Sequence, residues 1–205
     1  GELPSGGVGP HDMLLMPDRR TLVIANGGIE THPGYPRAKL NIPSMAPNLA
    51  FVDTATGEVL HTATLPPDSH KLSIRHLAIQ ADGTTWFACQ NEGDSVEPVS
   101  LAGKIRRDGD IQMLNLDVRE WGSLRGYIGA IACSPDGARV VITSPRGGVA
   151  LDIDSAKNSV TRSVAQADIC GVAMRDRDVF LTSGTGKAQS RIHELSFDNH
   201  VALIG

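Results

Sequence analysis

Short apolar segments alternate with tight polar turns along the chain, and one such pattern occurs four times. In each copy an apolar run leads into a turn that contains aspartate, and a second apolar run follows. Asp-Gly at Asp82 and at Asp136 is typical of a hairpin turn, because glycine adopts positive φ without a Cβ clash. The pattern predicts four β-hairpins, at His11–Asn26, His76–Asn91, Gly129–Ser144 and Gly171–Gly184.

A second and weaker pair of strands follows each hairpin, so each unit is expected to hold four antiparallel strands. Small sheets of this kind bury both faces when they stack radially, which predicts an all-β fold, a β-propeller with about four blades in this chain. The last spacing between turn aspartates matches a bare blade of about 40 to 45 residues. A β-sandwich is the alternative, and the periodic aspartate turn favours the propeller. The second pairs are Asn48–Leu65, Leu101–Leu116, Gly147–Val164 and the segment from Ser190 to the end.

Three insertions lengthen the first two units, Gly27–Pro47 in the first and both Glu92–Val99 and Asp117–Gly126 in the second. The third contains Val118–Arg125, where we expect one or two helical turns. We treat residues 1–205 as a single propeller domain or a partial propeller. Four blades alone leave two blade faces open, so we expect self-association through open edges, or a missing N-terminal segment of a larger ring.

Charge and composition narrow the classes of partner. The net charge is −4 and no basic stripe occurs, which argues against a nucleic-acid partner. No apolar run approaches the ~20 residues of a membrane span. The three cysteines, Cys89, Cys133 and Cys170, are far apart and form no CxxC pair. Buried free thiols are therefore expected rather than a disulfide framework or a zinc site.

Histidines mark the start of two of the four hairpins. In a propeller the first strand of each blade lines the central channel, and the residues that open it surround one mouth. His11, His76, Gly129 and Gly171 open the four repeats and are expected to be equivalent, with Arg75 directly before His76. A ring of His11, Arg75 and His76 suits an anion, through guanidinium donors, or a metal ion, through imidazoles. In the alternative, each histidine only bonds a neighbouring strand.

Two loops add candidates to this mouth. Glu30 and His32 stand two apart in the first insertion, a spacing that places both on one face of a strand. Together with His11 and His76 they form a candidate metal set, since a metal site needs three or four ligands. The alternative is a surface loop shaped by glycine and proline. Arg146, in the glycine-rich loop after the third hairpin, is a further candidate ligand for an anion.

The chain resembles a family of bacterial propeller proteins, the DUF1513 family. The motifs that carry the resemblance cover nearly the whole chain and are specific in combination: GVGPHD, LVIANGGIETHP, KLSIRHLAIQADGTTWFACQ, SPDGARVVITSPRGG, CGVA and TSGTG. The match is to the C-terminal part of such a protein. Family members are usually longer and carry a twin-arginine export signal, so this chain departs from the family at its N-terminus.

The resemblance implies a seven-bladed propeller and a periplasmic location. Family genes often neighbour those of imelysin-like, iron-regulated lipoproteins, which implies a loose link to envelope iron handling. The family has no established reaction, so the resemblance implies no catalytic residue.

Two classes of function remain open from the sequence. The first is a non-catalytic binding or interaction propeller that takes an anion or a metal ion in its channel. The second is a metal-dependent, lactonase-like hydrolase that holds its ion with His11, Glu30, His32 or His76. The sequence contains neither G-x-S-x-G nor H-E-x-x-H. Since no acidic cluster falls at channel positions, the binding propeller is favoured, and a segment without any site is the third alternative.

Overall fold

Four antiparallel sheets of four strands each make up the fold. The computed structural model describes residues 2–32, 34, 38–93 and 98–188, and the backbone of 191–192. In every sheet the strands are hydrogen-bonded in chain order, as in a propeller blade. The predicted all-β class and the four-stranded units are therefore confirmed. The four sheets, named blades 1 to 4 in chain order, do not close into a ring.

The strand bounds follow the predicted hairpins. Blade 1 consists of β1 (Pro10–Leu15), β2 (Thr21–Asn26), β3 (Asn48–Asp53) and β4 (Val59–Thr64). Blade 2 consists of β5 (Leu72–Ile79), β6 (Thr85–Asn91), β7 (Ala102–Ile105) and β8 (Gln112–Met113). Blade 3 consists of β9 (Ala130–Cys133), β10 (Arg139–Ser144), β11 (Val149–Asp154) and β12 (Ser159–Ala165). Blade 4 consists of β13 (Ile169–Arg175), β14 (Asp178–Ser183), β15 (Lys187–Ala188) and β16 (Arg191–Ile192). The prediction for Ser190 to the end falls almost wholly outside the described residues.

The connections contain little helix. Short 3-10 helices span Ile42–Ser44 and Pro67–Ser69, and one α-helix, α1, spans Val118–Ser123. α1 lies in the stretch predicted to hold one or two turns. Asp117 caps it by accepting a hydrogen bond from the Arg119 amide, and the Glu120 carboxylate accepts one from the Asp117 amide. This reciprocal pair satisfies two donors at the start of the helix.

The first strands of neighbouring blades pack side by side around the centre. β1 lies against β5, β5 against β9, and β9 against β13. One apolar core runs continuously through blades 1 to 3, and Phe51, Trp86 and Phe87 are its largest fully buried side chains. A smaller cluster, which includes Val141 and Val172, joins blade 3 to blade 4.

On the face of blade 1 that points away from blade 2, β1 exposes apolar side chains. Met13 and Leu15 are 57% and 51% exposed. They pair with Ile24 and Leu22 across β1 and β2. Leu14, between them, packs into the main core instead, as the alternation along a strand requires. Self-association through this face stays a prediction.

The pairing register corrects the predicted equivalence of the histidines. The register of the first two strands shifts by one residue at His11 in blade 1, at Arg75 in blade 2 and at Cys170 in blade 4. His11 is therefore equivalent to Arg75, and His76 is equivalent to Asp12. The predicted equivalence aligns the repeats on their histidines. In the structure, the turn aspartates and the β-bulge that blades 1, 2 and 4 share set the register.

The turn aspartates hold the hairpins together through backbone hydrogen bonds. Asp18 accepts from the amides of Thr21, at 2.8 Å, and Arg20, at 2.9 Å. These amides hold the pKa of Asp18 below its ordinary value of 3.8. A hydrogen bond from the Ser134 hydroxyl and one from the Ala138 amide lower the pKa of Asp136 in the same way.

The lowered pKa values predict a loss of stability in acid. Because the folded state favours the ionised carboxylates, their contribution is complete above the ordinary pKa and is lost as the pH falls through the lower folded-state value. We expect the free energy of unfolding, measured by urea denaturation, to fall between about pH 4 and pH 2. Asp18→Asn should reduce that fall, whereas Asp110→Asn, at an exposed site, should not. An equal pH dependence in wild type and Asp18→Asn would contradict this assignment.

The three cysteines are free thiols, as predicted. Cys89 and Cys170 are buried and Cys133 is half-buried. Burial raises the pKa of the Cys89 thiol, and burial together with the charge of Asp82 raises the pKa of Cys133 to about 12. Since the thiolate is the reactive form, these two cysteines are unreactive in the folded chain.

None of the helices among the described residues has the length and apolar character needed to cross a bilayer.

Candidate anion site at the channel mouth

The β-bulges of blades 1 and 2 bring His11 and Arg75 together at one mouth of the channel. His11 Nδ1 lies 2.9 Å from the backbone carbonyl oxygen of Arg75. Because a carbonyl oxygen only accepts, Nδ1 must carry the hydrogen and donate it. In the neutral ring, Nε2 is then the nitrogen with the lone pair.

His76 lies next to His11, as the sequence predicted. The two ring centroids are 5.0 Å apart and the planes meet at 86°, an edge-to-face arrangement. His76 is 4% exposed, whereas His11 is exposed. Asp12 secures the same junction, because its carboxylate accepts a hydrogen bond from the Leu77 amide at 3.0 Å.

The buried carboxylate of Glu92 binds two cations, one of which is the Arg75 guanidinium. Glu92 Oε1 lies 3.4 Å from Arg75 Nη2, and Glu92 Oε2 contacts Lys39 Nζ. The Glu92 side chain is 4% exposed, that of Arg75 is 21% exposed and that of Lys39 is 42% exposed. We call His11, Lys39, Arg75, His76 and Glu92 the mouth cluster.

Sequence reasoning missed Glu92 and Lys39. Both lie in segments recognised as insertions, Lys39 in the first and Glu92 at the start of the second. The sequence feature that points to Glu92 is its position directly after β6. Because β5 and β6 are antiparallel, the end of β6 lies next to the start of β5. Lys39 comes from a long loop whose path the sequence does not specify.

The mouth cluster has more positive charge and more donors than its own carboxylate satisfies. A guanidinium carries five N–H donors, and Glu92 takes one of those of Arg75 at long distance. Arg75 Nε is buried and has no hydrogen-bond partner among the described residues. Two cations share one carboxylate, which leaves an excess of positive charge. Such a group attracts anions, since guanidinium binds carboxylate and phosphate in a fork.

The structure does not assemble the predicted metal set. The backbone of Glu30 accepts a hydrogen bond from Leu40 and donates one to Asn41, which holds it within its own loop. His32 Nδ1 accepts from the Gly34 amide at 3.0 Å. Within the part of the chain that is described, no group of three or more His, Cys, Asp or Glu side chains could hold a metal ion.

Arg146 lies apart from the mouth cluster. Its guanidinium lies over the ring of Tyr127, with 4.9 Å between the guanidinium carbon and the ring centroid. It lines a cavity between blades 2 and 3 whose lining contains no member of the mouth cluster. The structure thus brings His11, Arg75 and His76 together and gives Arg146 a separate position.

Comparison with solved structures finds propellers. The WD40 repeats of RRP9 match with a TM-score of 0.62 at 14% identity, over 88% of this chain and 47% of that chain. U3-55K matches with a TM-score of 0.61 at 14% identity, over 88% and 48%. Kuenenia stuttgartiensis hydrazine synthase matches with a TM-score of 0.59 at 16% identity, over 85% and 56%. The chain spans about half the length of these proteins, and the likeness shows the fold alone.

Comparison with known sequences identifies a family but no characterised relative. A search of curated proteins finds no match. The family model described as "protein of unknown function (DUF1513)" matches residues 1–204, and this confirms the resemblance seen in the sequence motifs. The chain belongs to the DUF1513 family.

Proposed function

We propose that the chain is a non-catalytic binding propeller that holds a small anion at the mouth cluster. One observation carries the proposal: Lys39 and Arg75 share the single carboxylate of Glu92, and Arg75 Nε is buried with no hydrogen-bond partner among the described residues. The buried Glu92 orients Arg75 without satisfying its donors. A carboxylate or phosphate group would supply the missing acceptors and balance the charge.

The surroundings of the mouth support recognition more than catalysis. The cluster offers cationic donors, and among its members Glu92 is already engaged by two ion pairs. The long β2–β3 loop and the β6–β7 loop reach this same face of the blades. Loops on a rigid scaffold are where binding residues are concentrated.

The cellular setting is proposed on the family resemblance alone. We infer a periplasmic location, with a link to envelope iron handling. Fractionation of cells that express the natural gene, grown with and without iron, tests both parts. Recovery of the protein in the cytoplasm, at levels that do not change with iron, would contradict both the periplasmic location and the link to iron. The proposed anion site does not depend on either.

A titration with inorganic phosphate at constant ionic strength tests the mouth site. We expect saturable binding, with shifts of the Leu77 and Glu92 amide signals in ¹⁵N-resolved NMR spectra. Arg75→Gln should weaken that binding roughly tenfold to a hundredfold, because it removes charge-assisted hydrogen bonds. Arg162→Gln, on the exposed outer strand β12, is the matched control and should bind as wild type does.

Two results would overturn the mouth site. Shifts that rise without saturation, or that chloride reproduces at the same ionic strength, would indicate general screening. Equal affinities of wild type and Arg75→Gln would show that the guanidinium is not a ligand.

A further inference from the structure

A cavity of about 290 Å³ lies between blades 2 and 3. It has room for on the order of ten water-sized groups, at ~30 Å³ each. Its walls are the end of β6, the turn between α1 and β9, and the β10–β11 loop. The lining residues that matter here are Asn91, Trp121, Arg125 and Arg146.

Hydrogen bonds between these three segments fix the walls. The Asn91 amide donates to the Gly126 carbonyl at 2.8 Å, which ties β6 to the turn. The Ser144 hydroxyl donates to the Leu124 carbonyl at 2.8 Å, which ties β10 to the same turn. At Gly147 the β10–β11 loop approaches α1 so closely that a Cβ would lie 2.1 Å from the Ser123 carbonyl oxygen. The cavity is therefore held by backbone rather than by mobile side chains.

Two arginines, both with exposed side chains, line this cavity. Arg125 has a φ of 50°, in the left-handed region, at the end of the α1 turn. Arg146 stacks its flat face on Tyr127. Stacking occupies the face of a guanidinium and leaves its in-plane N–H donors available.

Neither of these arginines forms an ion pair within the described residues, whereas Arg20, Arg106 and Arg139 each bind an aspartate. Asn91 adds a donor to the lining. Its Oδ1 accepts from the Gly93 amide at 2.8 Å, which leaves the amide nitrogen for another partner. Two guanidiniums and an amide thus line one preformed space, and no acidic side chain among the described residues forms an ion pair with either guanidinium.

We propose that this cavity is a second anion site, separate from the mouth cluster, which binds a small molecule through a carboxylate or phosphate group. Arg125 and Arg146 bind the oxygens, Asn91 donates to the same group, and Trp121 forms an apolar wall for the body of the molecule. The proposal does not depend on the mouth site, since the two sites share no side chain.

Titrations with inorganic phosphate and with acetate, at constant ionic strength, test this second site. We expect saturable shifts of the Gly126 and Tyr127 amide signals and of the Trp121 indole signal. Stronger binding of acetate would identify carboxylates as the ligand class, and stronger binding of phosphate would identify phosphates. Arg146→Gln and Arg125→Gln should each weaken the preferred probe roughly tenfold or more.

Matched variants separate this site from the mouth cluster. Arg75→Gln and Arg162→Gln should leave the affinity of the cavity for the probe unchanged. Arg146→Lys should bind the probe with intermediate affinity, because lysine keeps the positive charge but lacks the paired N–H donors of a guanidinium. Thermal unfolding of each variant confirms that it is folded. Wild-type affinity in both Arg146→Gln and Arg125→Gln, or shifts that chloride reproduces, would overturn the proposal.

Discussion

Replacement of Phe87 by alanine lowers the free energy of unfolding by about 3–5 kcal/mol, the usual cost of removing a large buried ring. Phe87 is fully buried in the core that joins blades 1 to 3. Its ring lies over Gly103 on the paired strand, where a Cβ would be 2.6 Å from Phe87 Cζ. Glycine has no side chain that could move into the space, so the cavity stays open and the loss falls in the upper part of the range.

Urea denaturation of three variants measures this effect. Phe87→Leu keeps most of the apolar volume and should cost about 1–2 kcal/mol. Leu60→Ala, at a side chain 45% exposed on the outer strand β4, should change stability by less than about 0.5 kcal/mol. A cost for Phe87→Ala near that of Leu60→Ala would mean that blade 2 is not packed as described.

Replacement of Glu92 by glutamine lowers stability by about 1–3 kcal/mol, and added phosphate recovers part of the loss. The change leaves Arg75 and Lys39 without their carboxylate. A fully buried broken pair costs 3–5 kcal/mol, and the partial exposure of both cations reduces that cost. A free anion can then occupy the position of the lost carboxylate, as well as the mouth site itself.

The phosphate dependence of the melting temperature separates this effect from simple damage to the fold. Binding to the folded state raises the melting temperature with ligand concentration. The rise should be larger for Glu92→Gln than for wild type. Glu58→Gln, in an exposed turn of blade 1, should match wild type in both stability and response. Equal rises for wild type and Glu92→Gln would contradict this expectation, because they would show that freeing Arg75 and Lys39 from the carboxylate adds no affinity for the anion.

The hairpins were predictable because turn chemistry and strand alternation are local properties. Asp82-Gly83 and Asp136-Gly137 both occupy turns with glycine at positive φ. The helical turn in the third insertion was equally visible, since Asp117 and Glu120 form a capping box that the sequence shows directly.

The register of the first strands was not predictable from the motif alone. A β-bulge adds one residue to a strand without changing the apolar pattern on either side. The apolar pattern is therefore compatible with an alignment of His11 with His76. In the structure, His11 and Arg75 are the residues at equivalent bulges. The proximity of the two histidines still followed, because neighbouring inner strands lie side by side.

The cationic partners in both candidate sites depend on how long loops fold. Lys39 reaches Glu92 from an insertion in another blade, and Arg125 and Arg146 line one cavity from two different segments. Such encounters between distant segments leave no spacing in the sequence. The predicted metal set is not grouped among the described residues for the same reason, since the loop that carries Glu30 and His32 bonds to itself.

Anion binding at the mouth cluster can be observed directly in a crystal structure of the wild-type chain with selenate, an oxyanion whose selenium scatters anomalously. If the mouth cluster binds an anion, an anomalous peak lies within hydrogen-bond distance of the Arg75 guanidinium. We expect this peak to be lost in crystals of Arg75→Gln. Saturating selenate with no peak at the mouth cluster, or a peak that persists in Arg75→Gln, would contradict the anion site.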